Sequence, residues 1–347
     1  LLGKQAKVIL CSHLDRPGGR VEERWRLAPV ARCLSDILGR PVESLRDCIG
    51  PEVEQSVSRM KEGDLVLLEN LRFHPGETAN DPDFARALAD LADVYVNDAF
   101  SVCHRRHASI VGVPKYLPAA AGFLLQKEVE MFNKILESPK RPFSAITGGA
   151  KVKDKIEVLE NIIGKVDLLL IGGALATTFI RSRGLSVGAS KVEEDKLDFA
   201  HHLMKQAESN GVKLVLPRDV VVAKALKEGS PTQIVPVSSI PKGWVVADIG
   251  PHTIEDFTRE LDRCRTVVWN GPMGVFEISD FAQGTRKIAS VLAGLDATTV
   301  IGGGSTAEAV EEMGLKDKMT HVSTGGGASL QLLAGESLPG VDALPDA

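Results

Sequence analysis

Residues 145–163 read AITGGAKVKDKIEVLENII, and the order of residue types in this stretch decides the fold. An apolar run ends at Thr147, Gly148 and Gly149 follow, and Ile156, Leu159 and Ile163 then recur at helical spacing. Strand, glycine turn and helix in that order make the repeating unit of a parallel sheet, which binds ligands at the carboxyl ends of its strands. The unit recurs at Ile171-Gly172-Gly173, Ile301-Gly302-Gly303-Gly304 and Thr324-Gly325-Gly326-Gly327. Backbone N–H groups at such turns bind phosphate. None of these clusters fits G-x-x-x-x-G-K-[ST], and none fits G-x-G-x-x-G with a following acidic residue. The chain is therefore neither a P-loop protein nor an ordinary dinucleotide binder, which argues against a nicotinamide-dependent dehydrogenase.

Outward from this stretch, short strand-like runs alternate with amphipathic stretches of helix length. The runs are Val8–Cys11, Leu65–Leu68, Val94–Val96, Ala145–Thr147, Leu168–Ile171, Leu214–Leu216, Val245–Ala247, Val267–Trp269, Thr299–Ile301 and His321–Ser323. The alternation predicts an α/β fold with mainly parallel sheets covered by helices on both faces. At 347 residues the chain is long enough for two domains. Leu124–Ser138 reads as one continuous helix with Leu125, Val129, Phe132 and Leu136 on its apolar face, stopped by Pro139. It predicts a connector between an amino-terminal domain, 1–123, and a nucleotide-binding domain, 139–330. Residues 331–347 read as a tail that returns to the amino-terminal domain.

Lys151 and Lys155 lie one turn apart at the start of a predicted helix. Cations there oppose the helix dipole and repel each other, at roughly 0.3–1 kcal/mol each, unless an anion is present. The pattern favours a phosphate site. Ser305-Thr306-Ala307-Glu308 matches a capping box, and the same helix start suits nucleotide phosphates. The two readings are compatible.

The first half carries basic motifs instead: His13-Leu14-Asp15-Arg16-Pro17, Leu71-Arg72-Phe73-His74-Pro75 and His104-Arg105-Arg106-His107. His13, Arg16, Arg72, Arg105 and His107 each follow a predicted strand, which would gather them at one sheet edge. Arginine forks match phosphate and carboxylate. His74, between Phe73 and Pro75, reads as structural. Composition sets limits on the partners. With 41 Lys and Arg against 46 Asp and Glu, the net charge is −5, and no basic stripe points to nucleic acid. No apolar run has the length of a membrane span. Five scattered cysteines without C-x-x-C read as reduced thiols of a cytoplasmic protein.

These motifs resemble the phosphoglycerate kinase family. Ser12-His13-Leu14-Asp15-Arg16-Pro17 is similar to its S-H-L-G-R-P. Glu69–Phe73, Asn97–Phe100 with His104–Ser109, Gly148–Lys155, Trp269–Glu277 and His321–Ser329 are similar to its other motifs, in the same order. The resemblance implies two Rossmann-like three-layer domains and a hinge-bending monomer. The implied reaction is reversible phosphoryl transfer between 1,3-bisphosphoglycerate and ADP, giving 3-phosphoglycerate and ATP in glycolysis. By the same resemblance, His13, Leu14, Asp15, Arg16, Arg72 and Arg105 hold the phosphoglycerate. Lys155, Gly172, Gly173, Asn270, Glu277, Gly303, Gly304, Ser305 and Thr306 hold the nucleotide. Lys151, Lys155, Gly302 and Gly325 act on the phosphoryl group in flight. Mg²⁺ rides on the ATP or ADP near Ser305. The acceptor carboxylate is already ionised at pH 7, so the absence of a catalytic base is expected.

The chain also departs from the family. It starts at Leu1-Leu2-Gly3 and enters a strand-like run at once, so an R-V-D-F-N-V-P motif and a further arginine have no counterpart. On this reading it is N-terminally incomplete, and the alternative is a nucleotide-binding but catalytically impaired fragment. Ser305 stands where many members have aspartate. Asp15 stands where they have glycine, and is expected to pair with Arg16 or Arg20.

Overall fold

Runs of β-branched and leucine residues buried on both sides can only be the middle layer of a sandwich. Phe143–Thr147, Leu168–Ile171 and Thr266–Asn270 are of this kind, every residue of each being buried. The computed structural model describes residues 1–149 and 152–345, apart from the side chain of Asp154. Lys151, singled out above, lies outside the described residues. The chain divides into two compact units, Leu1–Leu125 with Leu338–Ala347, and Gln126–Ser337.

In the first unit β1 (Val8–Leu10), β2 (Glu43–Ser44) and β3 (Leu65–Leu67) form a parallel sheet of order β1-β3-β2, while β4 (Tyr95–Asn97) pairs in parallel with β5 (Ala119–Ala121). The helices are α1 (Ala28–Leu38), α2 (Pro51–Ser58), α3 (Pro75–Ala79) and α4 (Pro82–Ala89). Proline stands in the first turn of each, where its missing N–H costs nothing. Val53, Val66, Leu68, Leu71, Phe84 and Leu88 form the core.

The helix α5 (Phe123–Glu137) leads into the second unit. Its buried residues include Leu125, Glu128, Phe132 and Ile135, whereas Val129 and Leu136 are only partly buried. The inward stripe is thus turned from the one expected and carries a carboxylate, for reasons given below. The second unit contains β6 (Phe143–Thr147), α6 (Ile156–Ile162), β7 (Leu168–Ile171), α7 (Leu175–Ser182), α8 (Leu197–Ser209), β8 (Lys213–Val215), β9 (Asp219–Ala223), β10 (Thr232–Pro236) and β11 (Val245–Ile249). It continues with α9 (Pro251–Leu261), β12 (Thr266–Asn270), α10 (Gln283–Gly294), β13 (Thr298–Gly302), α11 (Gly304–Glu312), β14 (His321–Val322) and α12 (Gly327–Leu333).

Six of these strands form one all-parallel sheet of order β14-β13-β12-β6-β7-β8. Ile146, Leu170, Val267, Trp269 and Ile301 face Phe257, Leu261, Ile288 and Leu292 of α9 and α10. Each such side chain contributes roughly 1.5–3 kcal/mol when fully buried. The run at Val245 is not part of this sheet. β11 and β10 flank β9 antiparallel, in a separate small sheet. Residues 224–231 between β9 and β10 are too few for a parallel crossover, which needs a dozen or more.

α13 (Pro339–Asp342) belongs to the first unit. Gly340 donates its N–H to the Cys103 carbonyl at 2.9 Å, and Asn97 Nδ2 donates to the Gly340 carbonyl at 3.3 Å.

Candidate active site

The order of the large sheet reverses between β6 and β12, since β7 and β8 extend one side and β13 and β14 the other. Such a switch point opens a crevice at the carboxyl ends of the strands. Gly148 and Gly271 leave β6 and β12 at this point. Their backbones are so close that a Cβ on Gly148 would lie 2.2 Å from the Pro272 carbonyl, and one on Gly271 2.3 Å from the Gly148 carbonyl. Only glycine fits at either place. Gly149 N–H donates to the Pro272 carbonyl, and Gly173 N–H to the Met273 carbonyl, both at 3.0 Å. Leu175 N–H donates to the Gly149 carbonyl at 2.8 Å. The turns after β6, β7 and β12 are one interlocked surface, and the turns after β13 and β14 end the neighbouring strands.

Asn270 closes β12 and is buried. Its Oδ1 accepts from Lys155 Nζ, while its Nδ2, lying against Gly302 and Gly303, is buried with no hydrogen-bond partner among the described residues. A buried donor left unpaired costs about 1–3 kcal/mol, so it marks a place for an acceptor. Glu277 is exposed. Thr306 is fully buried, and its Oγ1 accepts from Gly271 N–H at 2.8 Å, so that side chain holds the turn.

The capping box at Ser305 does not form. α11 starts at Gly304, and its cap is Gly303 at φ +86°, a conformation open to glycine. The glycines bring the helix start ahead of Ser305 and leave that hydroxyl exposed in the first turn. The last glycine turn is held from below. Glu128 of α5 accepts from Thr324 N–H at 2.7 Å and Thr324 Oγ1 at 2.9 Å, and its other oxygen meets His321 Nε2 at 2.7 Å. This is why α5 turns a carboxylate inward. Burial alone would raise the Glu128 pKa, but the hydrogen bonds from His321 and Thr324 hold it below the usual carboxylate range. Gly325 N–H is used by Ser323 Oγ at 3.0 Å, and α12 starts beyond it, at Gly327.

The loop from Gly271 to Gly284 is fixed at its far end by Asp248, which a bulge in β11 re-aims. Asp248 is 1% exposed. Its oxygens accept Gly284 N–H at 2.7 Å and Ile249 N–H at 2.8 Å, and a Cβ on Gly274 would lie 2.4 Å from it. Burial raises its pKa to about 7, against the pull of those two hydrogen bonds.

In the first unit Arg16, Gly18, Gly19, Arg72, Thr78, Arg105 and His107 line one cavity of about 170 Å³. Arg72 is buried in the turn Leu71–Phe73 after β3. Asn70 caps this turn through Arg72 N–H at 3.1 Å, and its Nδ2 donates to the Leu14 and Trp25 carbonyls at 2.8 and 2.9 Å. Arg72 Nη1 donates to the Asp15 carbonyl at 2.8 Å. The Nε atoms of Arg72 and Arg105 are buried without hydrogen-bond partners among the described residues. Burial and then the Arg105 charge lower the Arg72 pKa. Burial, then Arg72, pushes His13 down to about 4, which leaves it neutral at pH 7. Beneath the cluster lies Glu77, which accepts from Ser109 Oγ at 2.7 Å and Ser109 N–H at 2.9 Å, with His107 Nδ1 at 3.5 Å. Desolvation works against ionising Glu77, yet these partners hold its pKa down.

Asp15 does not pair with a guanidinium. Its carboxylate accepts the backbone N–H of Arg16 at 2.8 Å, and its φ of 55° is left-handed. Aspartate tolerates that conformation by bonding locally, which lets it stand in a position suited to glycine. Leu14 and Arg16 are exposed. His74 Nε2 meets Asp47 Oδ1 at 2.6 Å and stacks on Phe84, so it ties the turn to α4.

Comparison with known proteins gives a consistent result. The family model described as phosphoglycerate kinase matches residues 1–336. The chain is 56% identical over 346 residues to phosphoglycerate kinase of Moorella thermoacetica, and 55% identical over 346 residues to that of Pelotomaculum thermopropionicum. Each alignment takes in all of this chain and 88% of the relative. The fold is similar to the structure of phosphoglycerate kinase from Coxiella burnetii, with a TM-score of 0.86 at 39% identity, over 99% of this chain and 87% of that one. It is also similar to the crystal structure of phosphoglycerate kinase from Pyrococcus horikoshii OT3, with a TM-score of 0.87 at 32% identity and the same coverages.

Proposed function

Because the chain belongs to the phosphoglycerate kinase family, we propose that its basic cavity holds the phosphoglycerate and its glycine turns hold the nucleotide. The chain is a kinase, a phosphotransferase with a carboxylate acceptor. It transfers a phosphoryl group reversibly between 1,3-bisphosphoglycerate and ADP, giving 3-phosphoglycerate and ATP. In the ATP-consuming direction a carboxylate oxygen of 3-phosphoglycerate bonds to the γ-phosphorus, the bond from that phosphorus to the bridging oxygen breaks, and ADP leaves with the electron pair. No proton moves, so catalysis rests on alignment and on charge stabilisation.

The observation that carries the assignment of sites is the set of buried, unpartnered donors. Arg72 Nε and Arg105 Nε point to an anion in the first unit, and Asn270 Nδ2 to an acceptor at the switch point of the second. Arg16 and neutral His13 complete the phosphoglycerate side. Lys155, with Lys151, neutralises the transferring group. Gly172, Gly173, Gly303 and Gly304 present backbone to the nucleotide, Glu277 takes the ribose hydroxyls, and Gly302 and Gly325 keep the strand ends close to the phosphates.

Mg²⁺ is proposed to arrive on the nucleotide, where it neutralises phosphate charge. The start of α11 offers a hydroxyl, Ser305, with glycine amides beside it, a donor set that suits phosphate oxygens. Mg²⁺ keeps several waters and binds largely through phosphates in such sites, so these residues fit the nucleotide-borne ion. A cytoplasmic monomer is the proposed form, and the five free thiols support a reducing compartment. Calorimetry with ADP and with 3-phosphoglycerate, followed by a coupled turnover assay, tests the reading. Arg72→Ala that abolishes ADP binding and spares phosphoglycerate binding would overturn the assignment.

A further inference from the structure

The lysine turn after Gly149 was expected to need an anion, and the chain supplies one itself. Glu193, far away in sequence, accepts the backbone N–H of Val152 and, at 3.2 Å, that of Lys153 through one carboxylate oxygen. It sits at the start of the turn Lys153–Lys155, which leads into α6. A carboxylate there satisfies two orphan amides and offsets the lysine charges at a helix start. The same residue is tied to α7. Its own N–H donates to Thr178 Oγ1 at 3.3 Å, and the neighbouring Thr177 Oγ1 donates to the Lys191 carbonyl at 2.7 Å. α7 follows the Gly172-Gly173 turn directly.

We propose that Glu193 is a positioning residue for Lys155. It fixes the backbone end of the lysine turn while Asn270 Oδ1 accepts from the ammonium at the other end. One continuous chain of contacts then runs from Gly172-Gly173 through α7 and Glu193 to the amine that meets the transferring phosphoryl group. The amides of Val152 and Lys153 are occupied by Glu193 and are not open to phosphate. The role rests on the phosphoglycerate kinase reading, in which Lys155 acts in the chemical step.

Glu193 is only partly buried, so substitutions there leave the fold intact. Glutamine keeps the shape and one acceptor but loses the charge, and alanine loses both. The expected order in kcat is wild type, then E193Q, then E193A, with E193A lower by about 10–100-fold and KM for ADP within about twofold, the signature of an interaction that matters in the transition state. Amide hydrogen exchange at Val152 and Lys153 reads the clamp without reference to turnover, and E193A should speed it about tenfold or more. Unchanged exchange removes the clamp and with it the proposal. Faster exchange with unchanged kcat also overturns the proposal, leaving a structural tie. A loss confined to KM for ADP assigns Glu193 to nucleotide binding instead. If exchange responds and wild type turns over no phosphoglycerate, the failure lies in the functional reading, and the positioning role falls with it.

Discussion

Asp248→Asn should change the pH dependence of stability in a way that reverses sign. Asp248 is buried, and its pKa rises from 3.8 to about 7 on folding. A raised acid pKa means the folded state holds a proton that the unfolded state has released. The neutral side chain therefore contributes its full stability below pH 3.8, and this is lost as pH rises towards 7. At about 1.36 kcal/mol per tenfold change in proton affinity, the loss reaches a ceiling of about 4 kcal/mol. Asparagine cannot titrate. It can accept only one of the two N–H groups now bound, from Gly284 and Ile249, and leaving the other unpaired costs about 1–3 kcal/mol at every pH. Asp248→Asn should thus be less stable than wild type at pH 4 and more stable at pH 8.5, with the curves crossing between. Urea unfolding followed by tryptophan fluorescence measures this. A Trp25→Phe background leaves Trp244 and Trp269, both in the second unit, as reporters. Other titrating groups are common to both proteins and cancel in the difference. A difference that moves by less than about 1 kcal/mol between pH 4 and 8.5 would refute the reasoning.

Further outcomes are expected elsewhere. Arg72→Lys and Arg105→Lys should each raise KM for phosphoglycerate by on the order of tenfold and leave KM for ADP unchanged, because an ammonium cannot replace a planar fork; steady-state kinetics checks this. Glu128→Gln leaves a buried hydrogen-bond partner among His321 and Thr324 unsatisfied and should destabilise the second unit by about 1–3 kcal/mol at pH 7. Since the folded pKa of Glu128 is depressed, that gap should narrow as pH falls through it, which denaturation between pH 3 and 7 reads. The His13 ring should titrate by NMR near pH 4, and a midpoint at 6.5 or above would contradict the burial and the Arg72 charge that hold it down. Ser305→Asp should tighten apparent Mg-nucleotide affinity, and calorimetry that finds no change would assign the ion to phosphates and water alone.

Periodicity made the six-stranded sheet legible, since every strand of it but β8 runs into a glycine turn. It did not reveal β9 and β10. Thr232–Pro236 lies at a sheet edge with mostly exposed residues, so nothing in its pattern marks burial. β5 is three alanines, which carry little strand signal. Residue types alone mark Arg72 and Lys155 as candidates for the site. Glu193, Glu128 and Asp248 were out of reach for a common reason: each is a carboxylate whose partners are backbone amides, or a histidine, distant in sequence. A charge pattern read along a helix places such a residue in solvent. The inward turn of Glu128 on α5 shows the cost of that assumption.

The contact of Gly340 with Cys103 and Asn97 bears on how the protein is made. The first unit of the chain to leave the ribosome is closed by a segment that is synthesised only after the second unit. Domains usually fold in order of emergence, but here the early unit waits, with the surface around Cys103 and Ile110 uncovered, until the second unit and then Pro339–Asp342 have emerged. Completion of the first unit thus reports that synthesis has passed the second unit, and a nascent chain stalled before Leu338 would present that uncovered surface to chaperones.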